Sequence, residues 1–127
     1  MTRISQLLQL AQDELGTAEL LLVNGRYRAC ISRSYYAMYH ATQALLTTKN
    51  LSSKTHKGTI QLFGQHFVKT GELSIELARA LSDAYDLRQL SDYEETVLLT
   101  RQQADTISAA AQAFVTQTEQ YLQHLQD

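Results

Sequence analysis

Proline is absent from all 127 residues, and glycine occurs only five times. Proline ends a helix because it lacks an N–H and clashes with the preceding turn, and glycine weakens one through backbone entropy. A chain with so few of either can run helix after helix, turning only at a glycine or a polar run. The glycines fall mostly between stretches of periodic hydrophobicity. The expected fold is all-α, an antiparallel four- to five-helix bundle with a long C-terminal helix.

The periodicity places the helices. Ile4, Leu7, Leu8, Ala11, Leu15, Ala18 and Leu22 recur at helical steps and predict a first helix from about Thr2 to Val23, capped by Thr2 and stopped by Asn24-Gly25. A second, from about Tyr27 to Thr48, carries Ile31, Tyr35, Met38, Thr42 and Leu45 beside a small-residue stripe of Cys30, Ala37, Ala41 and Ala44. So wide an apolar surface predicts a central helix. After the polar loop KNLSSKT, a third helix is expected over His56–Lys69, with Ile60, Phe63 and Phe67 inward, ending at Thr70-Gly71. A fourth is expected over Ser74–Leu90 behind Leu73, Leu77, Leu81 and Ala84. A fifth is expected to start near Asp92, with Val97, Arg101, Ala104, Ile107, Ala111, Phe114, Thr118, Tyr121 and Leu125 inward.

Length and composition narrow the setting. The chain fits a single domain, 1–127, with 44% apolar residues to build a core. No run of about 18 apolar residues occurs, so no membrane span is predicted. The opening MTRISQLLQLAQDEL mixes polar residues into its apolar pattern, unlike a signal peptide. The one cysteine, Cys30, excludes an internal disulfide and Cys-based zinc, and points to a reducing cytoplasm. No metal-ligand spacing such as HExxH occurs, so neither a metal site nor a cofactor is expected.

Charge is unevenly distributed. Leu20 to Gly71 holds seven Lys or Arg and no acid, whereas Glu72 to Asp127 holds ten acids against three arginines. Either the halves neutralise one another on packing, or the first half offers a basic surface to phosphates or an acidic partner.

The polar groups of the second helix sharpen the question. Arg33, Tyr36, Ala37 and His40 project from one side of it. Tyr35 and Tyr39 read as core tyrosines whose hydroxyls find partners. Arg33 reads either as a clamp to Asp83, Asp86 or Asp92, or as a phosphate ligand with His40 as acid or base beside it. At the junction of the fourth and fifth helices, Arg88 can pair with Asp92, while Ser91 or Asp92 can cap the fifth helix with Glu94 and Glu95 in its first turn. His56 either starts the third helix or touches phosphate; His66 is its other histidine.

Four stretches in order, SRSYYAMYHATQALL, SSKTHKGTIQLFGQHFVKTGEL, LRQLSDYE and AAAQAFV, resemble the HEPN family, in particular its small stand-alone prokaryotic branch. The resemblance covers nearly the whole chain. It implies a helical bundle that dimerises, often encoded beside a minimal nucleotidyltransferase that acts as antitoxin to an RNA-cleaving HEPN toxin. The transferase silences its partner by forming a complex or by attaching AMP to a tyrosine near the active motif. Active members carry an Arg followed within a few residues by a His. Here Arg88 is followed by Asp92 and Tyr93 instead, and Arg33 with His40 meets the loose spacing on the second helix. The resemblance therefore implies Arg33, His40, Arg88, Asp92 and Tyr93 as catalytic candidates, and Tyr36, Lys54, His56 and Lys57 as contacts to a nucleotide or RNA. The chemistry implied needs no metal: a ribose 2′-hydroxyl attacks its own phosphate, His40 moves a proton, and an Arg steadies the charge. The alternative is a non-catalytic module that dimerises, binds a nucleotide or a partner, and recruits a nucleotidyltransferase.

Overall fold

A computed structural model describes residues 2–93 and 95–126. It contains α1 (Arg3–Val23), α2 (Tyr27–Thr48), α3 (His56–Phe63), α4 (Ile75–Tyr93) and α5 (Arg101–Gln126), with no strand among the described residues. The helices form a bundle around α2, which packs against all four others.

Local chemistry explains most of the boundaries. The Thr2 hydroxyl accepts the Ser5 N–H at 3.0 Å and starts α1. At its end Gly25 takes φ +74°, a left-handed conformation that lets the chain reverse into α2. The Thr55 hydroxyl accepts the Gly58 N–H at 2.9 Å and starts α3. The expected third helix is one element in direction but two in pitch: α3 passes into a π-helical turn over Gly64–Val68, which keeps both Phe63 and Phe67 fully buried.

The centre of the core is the predicted one for α1, α2 and α4, while Ile4, Leu8, Leu22 and Leu73, also expected inward, are half-buried at its edge. Leu7, Ala11, Leu15 and Ala18 of α1 are buried, as are both predicted stripes of α2 and Leu77, Leu81 and Ala84 of α4.

The fourth and fifth helices depart from expectation. α4 continues through Tyr93, so Ser91 and Asp92 lie in its last turn and do not cap α5. The Ser91 hydroxyl bonds back to the Arg88 carbonyl. Glu95 sits in a turn before α5, and Glu94 lies outside the described residues. The true cap is Thr100: its hydroxyl accepts the Gln103 N–H, and the Gln103 side-chain oxygen accepts the Thr100 N–H, a reciprocal box. On α5 the buried face runs Ala104, Ile107, Ala111, Phe114, Val115, Thr118 and Leu122. Arg101 is exposed and paired with Asp105, and Leu125 is exposed; the face rotates away from a fixed seven-residue step because a straight helix turns every 3.6 residues.

Candidate functional site

Three tyrosines of α2 build one wall of an aromatic cluster. Tyr35 is fully buried, and Tyr36 and Tyr39 are half-buried beside it. The Ser53–Gly58 turn brings His56, the first residue of α3, onto that wall. Its ring stacks on Tyr39, with centroids 4.4 Å apart and planes at 20°. Its Nδ1 lies 2.6 Å from the Tyr35 hydroxyl. Tyr85 of α4 completes the group, 5.8 Å from Tyr35 and 6.2 Å from His56. Tyr35 behaves as predicted, a core tyrosine whose hydroxyl finds a partner.

Two guanidinium groups stand over this wall. Arg88 of α4 places Cζ 5.2 Å from the Tyr36 ring and 5.8 Å from the Tyr35 ring. Arg33 places Cζ 5.0 Å from the same Tyr36 ring. Cations over tyrosine faces are held by the ring quadrupole. Arg88 pairs with Asp92 as expected: Nε lies 2.9 Å from Oδ2. That contact is close but poorly aligned, so the buried Nε makes no directed hydrogen bond among the described residues. Arg33 pairs with none of the three predicted aspartates. Its Nη1 meets Glu14 of α1 at 2.8 Å, because Glu14 and Arg33 stand about equally far from the turn joining α1 and α2.

Burial, reinforced by the Arg88 charge, lowers the pKa of His56. Burial likewise raises that of Tyr35, with Tyr39 adding to the effect, so its hydroxyl stays protonated through the physiological range. The pair is thus a neutral imidazole held by a neutral phenol, next to a permanent cation.

The remaining candidates surround this centre. His40 is half-buried, its ring 6.3 Å from those of Tyr36 and Tyr39, and its Nδ1 bonds Gln43 at 3.3 Å. Lys54 and Lys57 are exposed on either side of His56. Tyr93 is 74% exposed at the end of α4. A groove of about 670 Å³ opens alongside, lined by Arg26, Arg28, Arg33, Asp92, Val97 and Leu98. It shares Arg33 and Asp92 with the cluster, and Arg28 ties its far wall by donating to the Ser91 and Val97 carbonyls.

The structure therefore brings together Tyr36, Arg33, Arg88, Asp92 and His56, and leaves His40 and Tyr93 at the margin. Sequence reasoning missed Tyr35 and Tyr85 as parts of the site, and the effect of the Arg88 charge on His56. One signal was available: a Thr-His step at a helix start opposite tyrosines one turn apart. The charge asymmetry is also not used up internally. Among the described residues, Lys49–Glu72 is the only ion pair that joins the basic stretch to the acidic half. No helix among the described residues is long and apolar enough to cross a membrane.

Comparison with known proteins places this arrangement in context. The sequence matches the HEPN domain over residues 4–121. It is 33% identical over 119 residues to "Putative toxin MJ0142" of Methanocaldococcus jannaschii, covering 94% of this chain and 81% of that protein. It is 36% identical over 122 residues to "Putative toxin MJ0605" of the same organism, covering 96% and 90%. A UPF0332 protein of Thermotoga maritima is 32% identical over 115 residues, covering 91% and 87%.

Proposed function

The chain belongs to the HEPN domain family, and on that premise we propose that it is the toxin of a toxin–antitoxin pair, a metal-independent endoribonuclease. Two relatives carry the name of toxin, which supports the first half of this reading. The second half is carried by one observation: Arg33 and Arg88 both stand within about 5 Å of one tyrosine ring, with a histidine in the same cluster. Phosphoryl transfer within RNA requires positive charge where the phosphorane forms and a group to take the 2′-hydroxyl proton. The arginines supply the first, and a histidine of this face, His40 or His56, supplies the second. Asp92 orients Arg88, Tyr93 marks the rim, and Tyr36, Lys54 and Lys57 hold the nucleotide and the strand. The protein works as a cytoplasmic homodimer of a single 1–127 domain, and a minimal nucleotidyltransferase is its antitoxin.

The test is incubation of the purified protein with total RNA in EDTA. Wild type cleaves, and Arg88→Ala loses about a hundredfold or more of the rate, as removal of one positioned charge-stabilising donor does. Undiminished cleavage by Arg88→Ala sinks the site.

A second reading rests on a different observation, the groove beside Asp92 in a chain where no histidine follows Arg88. There the protein is a binding module that cleaves nothing, takes up a nucleotide or a partner, and recruits the transferase. Co-purification of a co-expressed transferase with an RNase-inactive, folded protein selects it.

A further inference from the structure

We propose that His56 is the proton-carrying residue of this site, acting through Nε2, with Tyr35 and the Ser53–Gly58 turn as the parts that position it. The inference rests on the ribonuclease reading above and deepens it.

The geometry distinguishes the two histidines. His56 is held on three sides: stacked on Tyr39, bonded at Nδ1 to Tyr35, and faced by Tyr85. Its Nδ1 is engaged inward, so Nε2 is the nitrogen left for a substrate. The hydroxyl of Tyr35 can donate to a bare Nδ1 or accept from a protonated one, so it holds the ring in either charge state. Among the described residues His40 makes one side-chain hydrogen bond, to Gln43 one turn away on its own helix, and its ring lies 6.3 Å from those of Tyr36 and Tyr39, without the 4.4 Å stack that holds His56. A ring fixed by second groups meets a substrate at a defined place; a loosely held one does not.

The turn that delivers His56 has no slack. The Ser53 hydroxyl accepts the Thr55 N–H, and the Thr55 hydroxyl accepts the Gly58 N–H. A Cβ on Gly58 would stand 2.1 Å from Ser53 Oγ and 2.8 Å from Thr55 Oγ1. A side chain at 58 would therefore force these two hydroxyls, both engaged in the turn, to shift; the constraint is one of close approach, since the Gly58 φ is not positive. The turn closes on itself, and His56 lies inside it.

The step balances without a metal or co-reactant. Nε2 of the neutral ring takes the 2′-hydroxyl proton while O2′ bonds to phosphorus. The bond from phosphorus to O5′ breaks, the leaving oxygen takes a proton from water, and the hydroxide so formed takes the proton held on Nε2, which returns the ring to its neutral form. The products are a 2′,3′-cyclic phosphate and a 5′-hydroxyl. With Nε2 bare, the neutral ring carries its proton on Nδ1, which donates to the Tyr35 oxygen before and after the transfer, and Arg88 lies beside the charge that develops. The groups facing His56 are Tyr35, Tyr36 and Tyr39 from α2 and Tyr85 and Arg88 from α4, while Lys54 and Lys57 of its own segment are exposed to solvent.

The experiment combines cleavage in EDTA with NMR titration of His56. His56→Gln is expected to lower kcat by about a hundredfold or more at little change in KM, and by at least tenfold more than His40→Gln. Gly58→Ala is expected to lower kcat and move the His56 resonances, and Ser53→Gly in the Gly58→Ala background to recover both in part, because it removes the nearest clashing atom and leaves the 2.8 Å approach to Thr55 Oγ1. Arg88→Gln raises the His56 pKa, a readout independent of cleavage. A fully active His56→Gln, or a His40→Gln that alone abolishes cleavage, overturns the assignment while leaving the ribonuclease reading in place. A wild type that cleaves nothing overturns both, and the Arg88 titration then reports only whether the two side chains are neighbours.

Discussion

The two sides of α2 are held together by different means. Over part of its surface the helix offers Ile31, Met38, Leu45 and a row of alanines, all fully buried. Such a face needs volume and shape, and any apolar set that fills the space serves nearly as well. Towards α3 and α4 it offers Tyr35, Tyr36 and Tyr39, where each contact has a named partner: a hydroxyl on an imidazole, a ring on a ring, a guanidinium over both. One side makes the bundle stable. The other spends buried surface on polar atoms that must be satisfied one by one, and that is the side where chemistry can occur.

The sharpest way to break this contrast is to damage the packed side. Phe114 of α5 is fully buried, its ring 5.6 Å from Phe63. Phe114→Ala is expected to cost about 3–5 kcal/mol, through lost burial and an unfilled cavity. Denaturant unfolding measures it, and the His56 titration should be unchanged at temperatures where the variant stays folded. A loss under about 1 kcal/mol would mean the bundle collapses around the gap and is less closely packed than its burial indicates.

A smaller change tests the polar side. Tyr35→Phe keeps the ring and its packing but leaves Nδ1 of His56 without its partner. The expected cost is about 1–3 kcal/mol, the range for leaving one buried polar group without its partner. The pH dependence has a definite sign. The folded pKa of His56 is lowered, so the unfolded chain binds more protons between that value and the ordinary 6.5. The contribution is complete above 6.5 and is lost as pH falls through the folded pKa. Stability in that window should rise with pH, and His56→Gln should flatten the slope. A slope of opposite sign would mean that the imidazolium is the form the cluster favours.

How much of this was legible follows the same division. The packed faces of α1, α2 and α4 follow from apolar periodicity, because burial at every third or fourth residue is written along a single segment. The start of α5 was not, since Ser91-Asp92 resembles a cap while α4 had not yet ended, and Thr100-Gln103 sits after an unpatterned stretch. As a clamp, Arg33 is expected from charge to meet the acidic half, whereas the tight turn at Gly25 brings Glu14 of α1 to it. The site residues Arg33, Tyr36, His56, Arg88 and Asp92 could be nominated singly. The convergence of Arg33 and Arg88 on one groove could be anticipated from the resemblance, but the place of His56 among them could not, because Tyr35 to His56 spans 21 residues through a loop whose path no periodicity encodes.

The least effect is expected at the other end of α2, where polar groups meet in the open. Lys49 reaches Glu72 at 2.6 Å and also donates to the His66 carbonyl, while Tyr121 of α5 donates to the other Glu72 oxygen. The hydrogen bond from Lys49, then that from Tyr121, lowers the Glu72 carboxyl to about 2, and burial with Glu72 raises the Tyr121 hydroxyl to about 12. The sign is the reverse of that for His56: the stabilisation is complete above the ordinary carboxylate pKa of 4.5 and is lost as pH falls through the folded value. Solvent reaches both partners, whose side chains are 30% and 34% exposed, so the pair contributes about 0.5 kcal/mol or less at neutral pH. Glu72→Gln should therefore lower the unfolding midpoint only slightly at pH 7, by less in high salt, and leave cleavage and the His56 titration unmoved. A loss matching that of Tyr35→Phe would mean that this corner, and not the tyrosine face, is where polar contacts determine how α2 is seated.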